Sequence, residues 1–137
     1  MSGDLVKSLY IGAAGMKAQS DRMRIVSENI ANSDAVGTRD GEAPYRRKVL
    51  SFKNELDRKL DADLVQVKKY GYDDAPYAKK YEPYHPMADE EGYVLYPNVN
   101  PIVEMMDMRE ARRGYEANLN VIESSKSMIM QTIDMIK

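Results

Sequence analysis

Few residues in this chain are of types that carry chemistry, and their spacing gives them little to work with. The single histidine, His85, stands in Tyr84-His85-Pro86, and there is no cysteine. A transition-metal cluster and a cysteine nucleophile are therefore excluded, and His85 reads as structural or solvated. Carboxylates gather at Asp73-Asp74 and at Asp89-Glu90-Glu91. Both groups fall in turn-like, open stretches where nothing is expected to shift a pKa, so they read as solvated loop charge. Gly12-Ala13-Ala14-Gly15 lacks the Lys and Ser/Thr of a phosphate-binding loop, and it sits inside a helical repeat instead of following a strand. Arg46-Arg47-Lys48 is a short basic run on a strand-like segment that offers a contact for an acidic partner surface. With 20 basic against 22 acidic residues and a formal net charge of −2, a nucleic-acid partner is not expected. No catalytic residue, cofactor or metal is expected, and the interest moves to packing surfaces.

Those surfaces lie on two segments with helical periodicity. Leu5, Leu9, Gly12, Met16, Gln19, Met23, Val26 and Ile30 follow one another at alternating steps of four and three, a heptad seam on a helix of about 40 Å. It ends at the polar Asn32-Ser33-Asp34 and Gly37. Near the other end Met105, Met108, Arg112, Tyr115, Leu119, Ile122, Lys126, Ile129, Ile133 and Ile136 keep the same spacing. Asn100 is placed to cap this second helix, Pro101 suits its first position, and Glu104 and Asp107 put negative charge near the positive end of the dipole. Beside its first stripe runs a second one, Val121, Met128 and Met135, so the apolar arc is wider than one partner helix can cover. Each Leu, Ile or Met left in water forgoes about 1.5–3 kcal/mol. The ends are accordingly expected to fold on assembly.

Between the helices, Tyr45–Phe52, Leu64–Tyr70, Pro76–Tyr81 and Gly92–Tyr96 read as short strands, and residues 38–44 as a mobile loop. The expected fold class is mainly α with a small β part: long N- and C-terminal helices pairing as an antiparallel coiled coil, with a β-rich or irregular middle lobe. The expected divisions are 1–32, 33–97 and 98–137. The ten Met, ten Tyr, single Phe and absent Trp fit adaptable interfaces or a Met-filled helical core. No stretch is apolar for the roughly 20 residues a membrane span needs, and the first residues lack the basic-then-apolar layout of a cleaved signal.

Taken together, several motifs resemble the axial rod and hook proteins of the bacterial flagellum, and among them the short subunits of the proximal rod. They are Ser27-Glu28-Asn29-Ile30-Ala31-Asn32, Pro44-Tyr45-Arg46-Arg47-Lys48, His85-Pro86-Met87-Ala88-Asp89 with Gly92-Tyr93-Val94, and Tyr96-Pro97-Asn98-Val99-Asn100-Pro101. Glu104–Ala111 and Tyr115–Asn118 belong to the same likeness. Asn29–Asn32 points only to the axial family; Pro97–Pro101 narrows it to the proximal rod. The connection from Asn32 to Pro44 is longer than the common family form, which leaves its contacts open.

The resemblance implies a structural subunit of a helical drive shaft that transmits motor torque and forms part of an export channel. It implies partners in other copies and other rod proteins, in the junction with the MS ring, and in the flagellar type III export apparatus. It also implies a periplasmic place in the basal body, reached without a cleaved signal. The interface residues would be Leu5, Leu9, Gly12, Met16, Met23, Val26, Ile30, Met105, Met108, Tyr115, Leu119, Ile122, Met128, Ile129, Ile133 and Ile136. The competing reading is a soluble helical adaptor that binds a single partner through a two-helix coiled coil. An enzyme built on Asp89-Glu90-Glu91 is weighed and set aside.

Overall fold

The computed structural model describes residues 2–39 and 41–137. Met1, which begins the expected first segment, and Asp40, within the expected 38–44 loop, lie outside them. The elements in chain order are α1 (Ser2–Ala31), β1 (Lys48–Asp57), β2 (Ala62–Tyr72), β3 (Ala78–Tyr81), β4 (Tyr93–Tyr96) and α2 (Pro101–Ile136). Among the described residues no helix is long and apolar enough to cross a membrane.

Both helices start and stop where their local chemistry dictates. The Asn100 side-chain oxygen accepts the Ile102 N–H at 3.0 Å, and Pro101 occupies the next position, where no N–H is needed. At the other boundary the Asn32 backbone N–H and its side-chain Nδ2 both donate to the Glu28 carbonyl, at 3.1 and 2.8 Å, and close the last turn of α1. Strands β1 and β2 form one two-stranded sheet, with β1 ending beyond the expected Phe52 and β2 running past the expected Leu64–Tyr70 at both ends; β3 and β4 form another. In the second sheet Ala78 pairs with Tyr96 and Tyr81 with Tyr93, antiparallel, and the Tyr81 and Tyr93 rings meet edge to face at 5.3 Å. Asp61, between β1 and β2, takes a positive φ of 49°, and Gly92, before β4, one of 88°.

The chain divides into two compact units, each built from separated segments. The first comprises Met1–Met23, Leu50–Lys69 and Arg109–Lys137, and the second Arg24–Val49 and Tyr70–Met108.

The expected mainly α chain with an antiparallel coiled coil is not what forms. Helix accounts for 49% of the structure and strand for 22%, in two small antiparallel sheets. The helices are neighbours in the first unit, but small residues mark the line where they meet. A Cβ added to Gly12 would lie 2.8 Å from Ile122 Cγ1, one on Gly15 would lie 2.5–2.7 Å from the Asn118 amide, and one on Gly114 would lie 3.0 Å from the Gln19 side chain. Ala18 and Ala111 are buried, and Arg22 reaches Glu110 at 3.2 Å. Coiled coils need branched apolar knobs in holes; here glycines and alanines bring the backbones close, and each glycine is faced by one larger side chain.

Gly15→Val should therefore cost about 1–3 kcal/mol through overpacking against Asn118, despite the poor helix propensity of glycine. Urea unfolding of the two proteins checks this, with a loss much larger than that of Gly3→Val, where an added Cβ meets nothing within 4 Å.

Candidate functional site

The densest set of polar contacts in the second unit gathers around a carboxylate with no exposure. Glu104 is 0% exposed and Asn29 1%. A buried carboxylate is tolerable only when it is paired and hydrogen-bonded, and two segments supply what this one needs. From the stretch leading into β1, Arg47 donates through Nε to Glu104 Oε1. From α1, Asn29 Nδ2 donates to Glu104 Oε2 at 3.3 Å. The same guanidinium extends Nη1 to Asp73 at 3.3 Å and Nη2 to Asp107 at 3.4 Å, so one cation joins α2 to the residue that follows β2.

Asn29 works in both directions. Its Oδ1 accepts the Tyr45 hydroxyl at 2.7 Å and the Lys48 N–H at 2.9 Å, while Nδ2 also donates to the Lys48 carbonyl at 2.9 Å. An amide is the one side chain of this size that can accept and donate to the same strand backbone at once. Asn98 bridges backbones in the same way. Its oxygen accepts the Arg47 N–H at 2.7 Å, and its Nδ2 donates to the carbonyls of Asp73 and Ala75, both at 3.0 Å. Arg46 covers the outside, with Nη1 2.8 Å from the Asp73 carbonyl and its guanidinium 4.3 Å over the Tyr77 ring.

The electrostatics follow from these contacts. The Ala75 N–H, and after it Arg47, hold the Asp73 carboxyl below its ordinary value. Lys48, bonded to Glu28 at 2.9 Å, does the same for Glu28. Burial works against the charge of Arg47, but the hydrogen bond and charge of Glu104, joined by Asp73, outweigh it and raise its pKa. Burial pushes the Tyr45 phenol up, so it stays a donor to Asn29.

Other polar residues serve turns. His85 Nδ1 accepts the Met87 N–H at 3.0 Å, and Asp89 Oδ1 accepts the N–H groups of Glu91 and Tyr93, each at 2.9 Å. In the 38–44 stretch, Glu42 Oε2 accepts from Thr38 N–H at 2.7 Å, Thr38 Oγ1 at 2.9 Å and Arg39 N–H at 3.2 Å; the expected mobile loop is tied at this point. Among the described residues no group of three His, Cys, Asp or Glu side chains is placed to hold a metal ion.

The residues singled out from sequence distribute unevenly. On α1, Gly12 and Val26 are buried, and Leu5, Leu9, Met16, Met23 and Ile30 half-buried. On α2, Met108, Tyr115, Leu119, Ile122 and Ile129 are half-buried, whereas Met105, Met128, Ile133 and Ile136 are exposed. Within the motifs Asn29 and Pro97 are buried, Asn32, Asn98 and Val99 half-buried, and Ala31, Asn100 and Pro101 exposed. Two readings change. Asp73, expected to titrate normally, is held low by its partners, and Arg47, expected to face an acidic partner, turns inward onto Glu104. Sequence reasoning placed Glu104 only as a dipole-complementing residue; a carboxylate four positions past the Asn100 cap, with Arg47 as the excess cation of a basic run, was the available hint.

The first turns of α2 carry this polarity inside out: Glu104 and Asp107 turn in, while Ile102, Val103, Met105 and Met106 are 70%, 44%, 54% and 63% exposed.

The family model described as flagella basal body rod protein matches residues 9–38, and the one described as flagellar basal body rod FlgEFG protein C-terminal matches residues 90–135. The two matched ranges contain Asn29 and Glu104. Among curated proteins, the chain is 47% identical over 127 residues to the flagellar basal-body rod protein FlgC of Agrobacterium fabrum, covering 93% of this chain and 91% of that one. It is 36% identical over 145 residues to the Bacillus subtilis protein of the same name, covering 95% and 97%. The Salmonella typhimurium protein of that name is 36% identical over 129 residues, covering 94% and 96%.

Two outcomes follow for the buried cluster. Asn29→Ala leaves a buried carboxylate short of a donor and three strand-side groups without partners, so unfolding should become easier by about 2–4 kcal/mol, read from chemical denaturation. Asp73 and Glu28 have folded pKa values below their ordinary 3.8 and 4.5. The unfolded chain therefore takes up protons first as pH falls, and the stability these groups contribute is present above that range and lost on descent through the folded values. Melting temperature should be level from pH 7 to 5 and fall below about 4.5, and Asp73→Asn should flatten part of that fall.

Proposed function

The chain belongs to the FlgC family of flagellar basal-body rod proteins and is a structural subunit of that rod, and we propose that it polymerises with its neighbours into a helical shaft that transmits motor torque and encloses part of the export channel. The observation that carries this reading is the apolar surface left outside on α2. Ile133, Met135 and Ile136 are 44%, 86% and 80% exposed near its end, and the inside-out first turns add a second patch. Patches of this kind on a folded chain mark contacts with other proteins. In this reading the half-buried residues from Leu5 to Ile30 and from Met108 to Ile129 hold the subunit together, and the exposed Met105, Met128, Ile133 and Ile136 meet neighbours.

The neighbours are other rod proteins and further copies, with the MS-ring junction and the type III export apparatus as the partners at the base. The chain would act on the periplasmic side of the inner membrane after export through the flagellar apparatus. A one-partner adaptor is not favoured, because the exposed apolar residues lie at both ends of α2 and on more than one side.

A strain deleted for this chain should yield basal bodies with rings but no complete rod in electron micrographs, and be non-motile; an intact rod would overturn the assignment. Complementation with Met128→Asp and with Ile129→Asp should fail in both cases for a subunit with several neighbours. A one-partner adaptor would tolerate Met128→Asp.

A further inference from the structure

A cleft of about 230 Å³ opens in the second unit between the last turns of α1, the start of β1 and the end of β2. The buried Ile25 and half-buried Val49 form its apolar part, and Tyr70 and Tyr72 stand beside it, 50% and 62% exposed. Gly71 lines it with room to spare: a Cβ added there would meet only Val49, at 3.9 Å. Arg24 and Lys48 bring two cations to the rim and share one carboxylate, Glu28, at 3.3 and 2.9 Å. The Arg24 guanidinium lies 5.7 Å over the Tyr70 ring. An apolar slot with aromatic sides and one positive charge in excess suits an apolar side chain that is followed closely by a carboxylate.

The chain carries such a segment. Met130 is 51% exposed on α2, and the exposed Asp134 stands four residues further on, so the two share one face of the helix. Met is flexible and polarisable enough to fill a small slot beside tyrosine rings. We propose that the cleft receives the last turns of α2 from a second copy of the chain, with Met130 entering between Tyr70 and Tyr72 and the Asp134 carboxylate meeting Arg24 and Lys48. The two surfaces are different, so the contact is heterologous and propagates as an open head-to-tail polymer instead of closing a two-fold dimer. The proposal rests on the reading of the chain as a rod subunit.

The absence of native cysteine makes the test clean. Gly71→Cys and Met130→Cys are prepared as two separate proteins, mixed, and oxidised mildly. A disulfide-linked heterodimer should form. Adding Arg24→Glu to the first protein should reduce its yield severalfold, and adding Asp134→Arg to the second should restore it. Without any cysteine, sedimentation should show that Arg24→Glu and Asp134→Arg each weaken self-association and that an equal mixture of the two singles recovers it. No cross-link, a cross-link indifferent to Arg24→Glu, or a chain that stays monomeric at all concentrations would overturn the contact. Cross-linking the Gly71→Cys and Met130→Cys chains co-expressed in isolated basal bodies separates the two readings. Chains present in the rod without the link sink the contact alone, and chains absent from the rod sink the rod reading as well.

Discussion

A carboxylate that has no access to water constrains everything placed around it. Glu104 needs a cation and a donor at fixed positions, and they come from residues 57 and 75 positions away in the chain. Once Arg47 and Asn29 are committed to it, Asn29 must also hold the Lys48 backbone, Arg47 must also hold Asp73 and Asp107, and Asn98 must hold the Arg47 backbone. The start of α2, the end of α1 and the entry into β1 are thereby set by one group. Pairs of this kind contribute less net stability than their Coulomb attraction suggests, because two charges have been taken out of water. What this cluster supplies is a single arrangement: the polar side of α2 is drawn in, and its apolar residues are left outside.

That inversion connects the cluster to the rod. A helix packed by its apolar stripe hides the side chains that would serve for assembly. Here Ile102, Val103, Met105 and Met106 stay in solvent because Glu104 and Asp107 occupy the inner side. In the first unit Gly12, Gly15 and Gly114 let the helices approach closely, and Met128, Met135 and Ile136 remain exposed. Both units use small or polar residues at close contacts and leave several larger apolar ones outside.

Much of the fold was legible because its signals are local. The Asn100-Pro101 start of α2 and the polar stop after Asn32 mark the helix limits, and the strand-like runs located β3 and β4 to within two residues. The limits of β1 and β2 were less visible, since Lys53, Lys68 and Lys69 interrupt the pattern on a thin two-stranded sheet. The helix pairing was misjudged for a different reason. An apolar period reports which residues are hydrophobic, whereas Gly15 facing Asn118 and Gly114 facing Gln19 depend on how closely two backbones approach. The cluster was only half visible: Asn29 stood out within its motif, but a glutamate near a helix start is ordinarily a surface residue, and its burial depends on an arginine far away in sequence.

The Arg47–Glu104 pair specifies geometry more than it adds stability, and a double-mutant cycle tests that most directly. Arg47→Leu and Glu104→Leu should each cost about 3–5 kcal/mol, by stranding the other charge, while the double variant should cost clearly less than the sum and no more than the worse single. Additive losses, or single substitutions without effect, would contradict it.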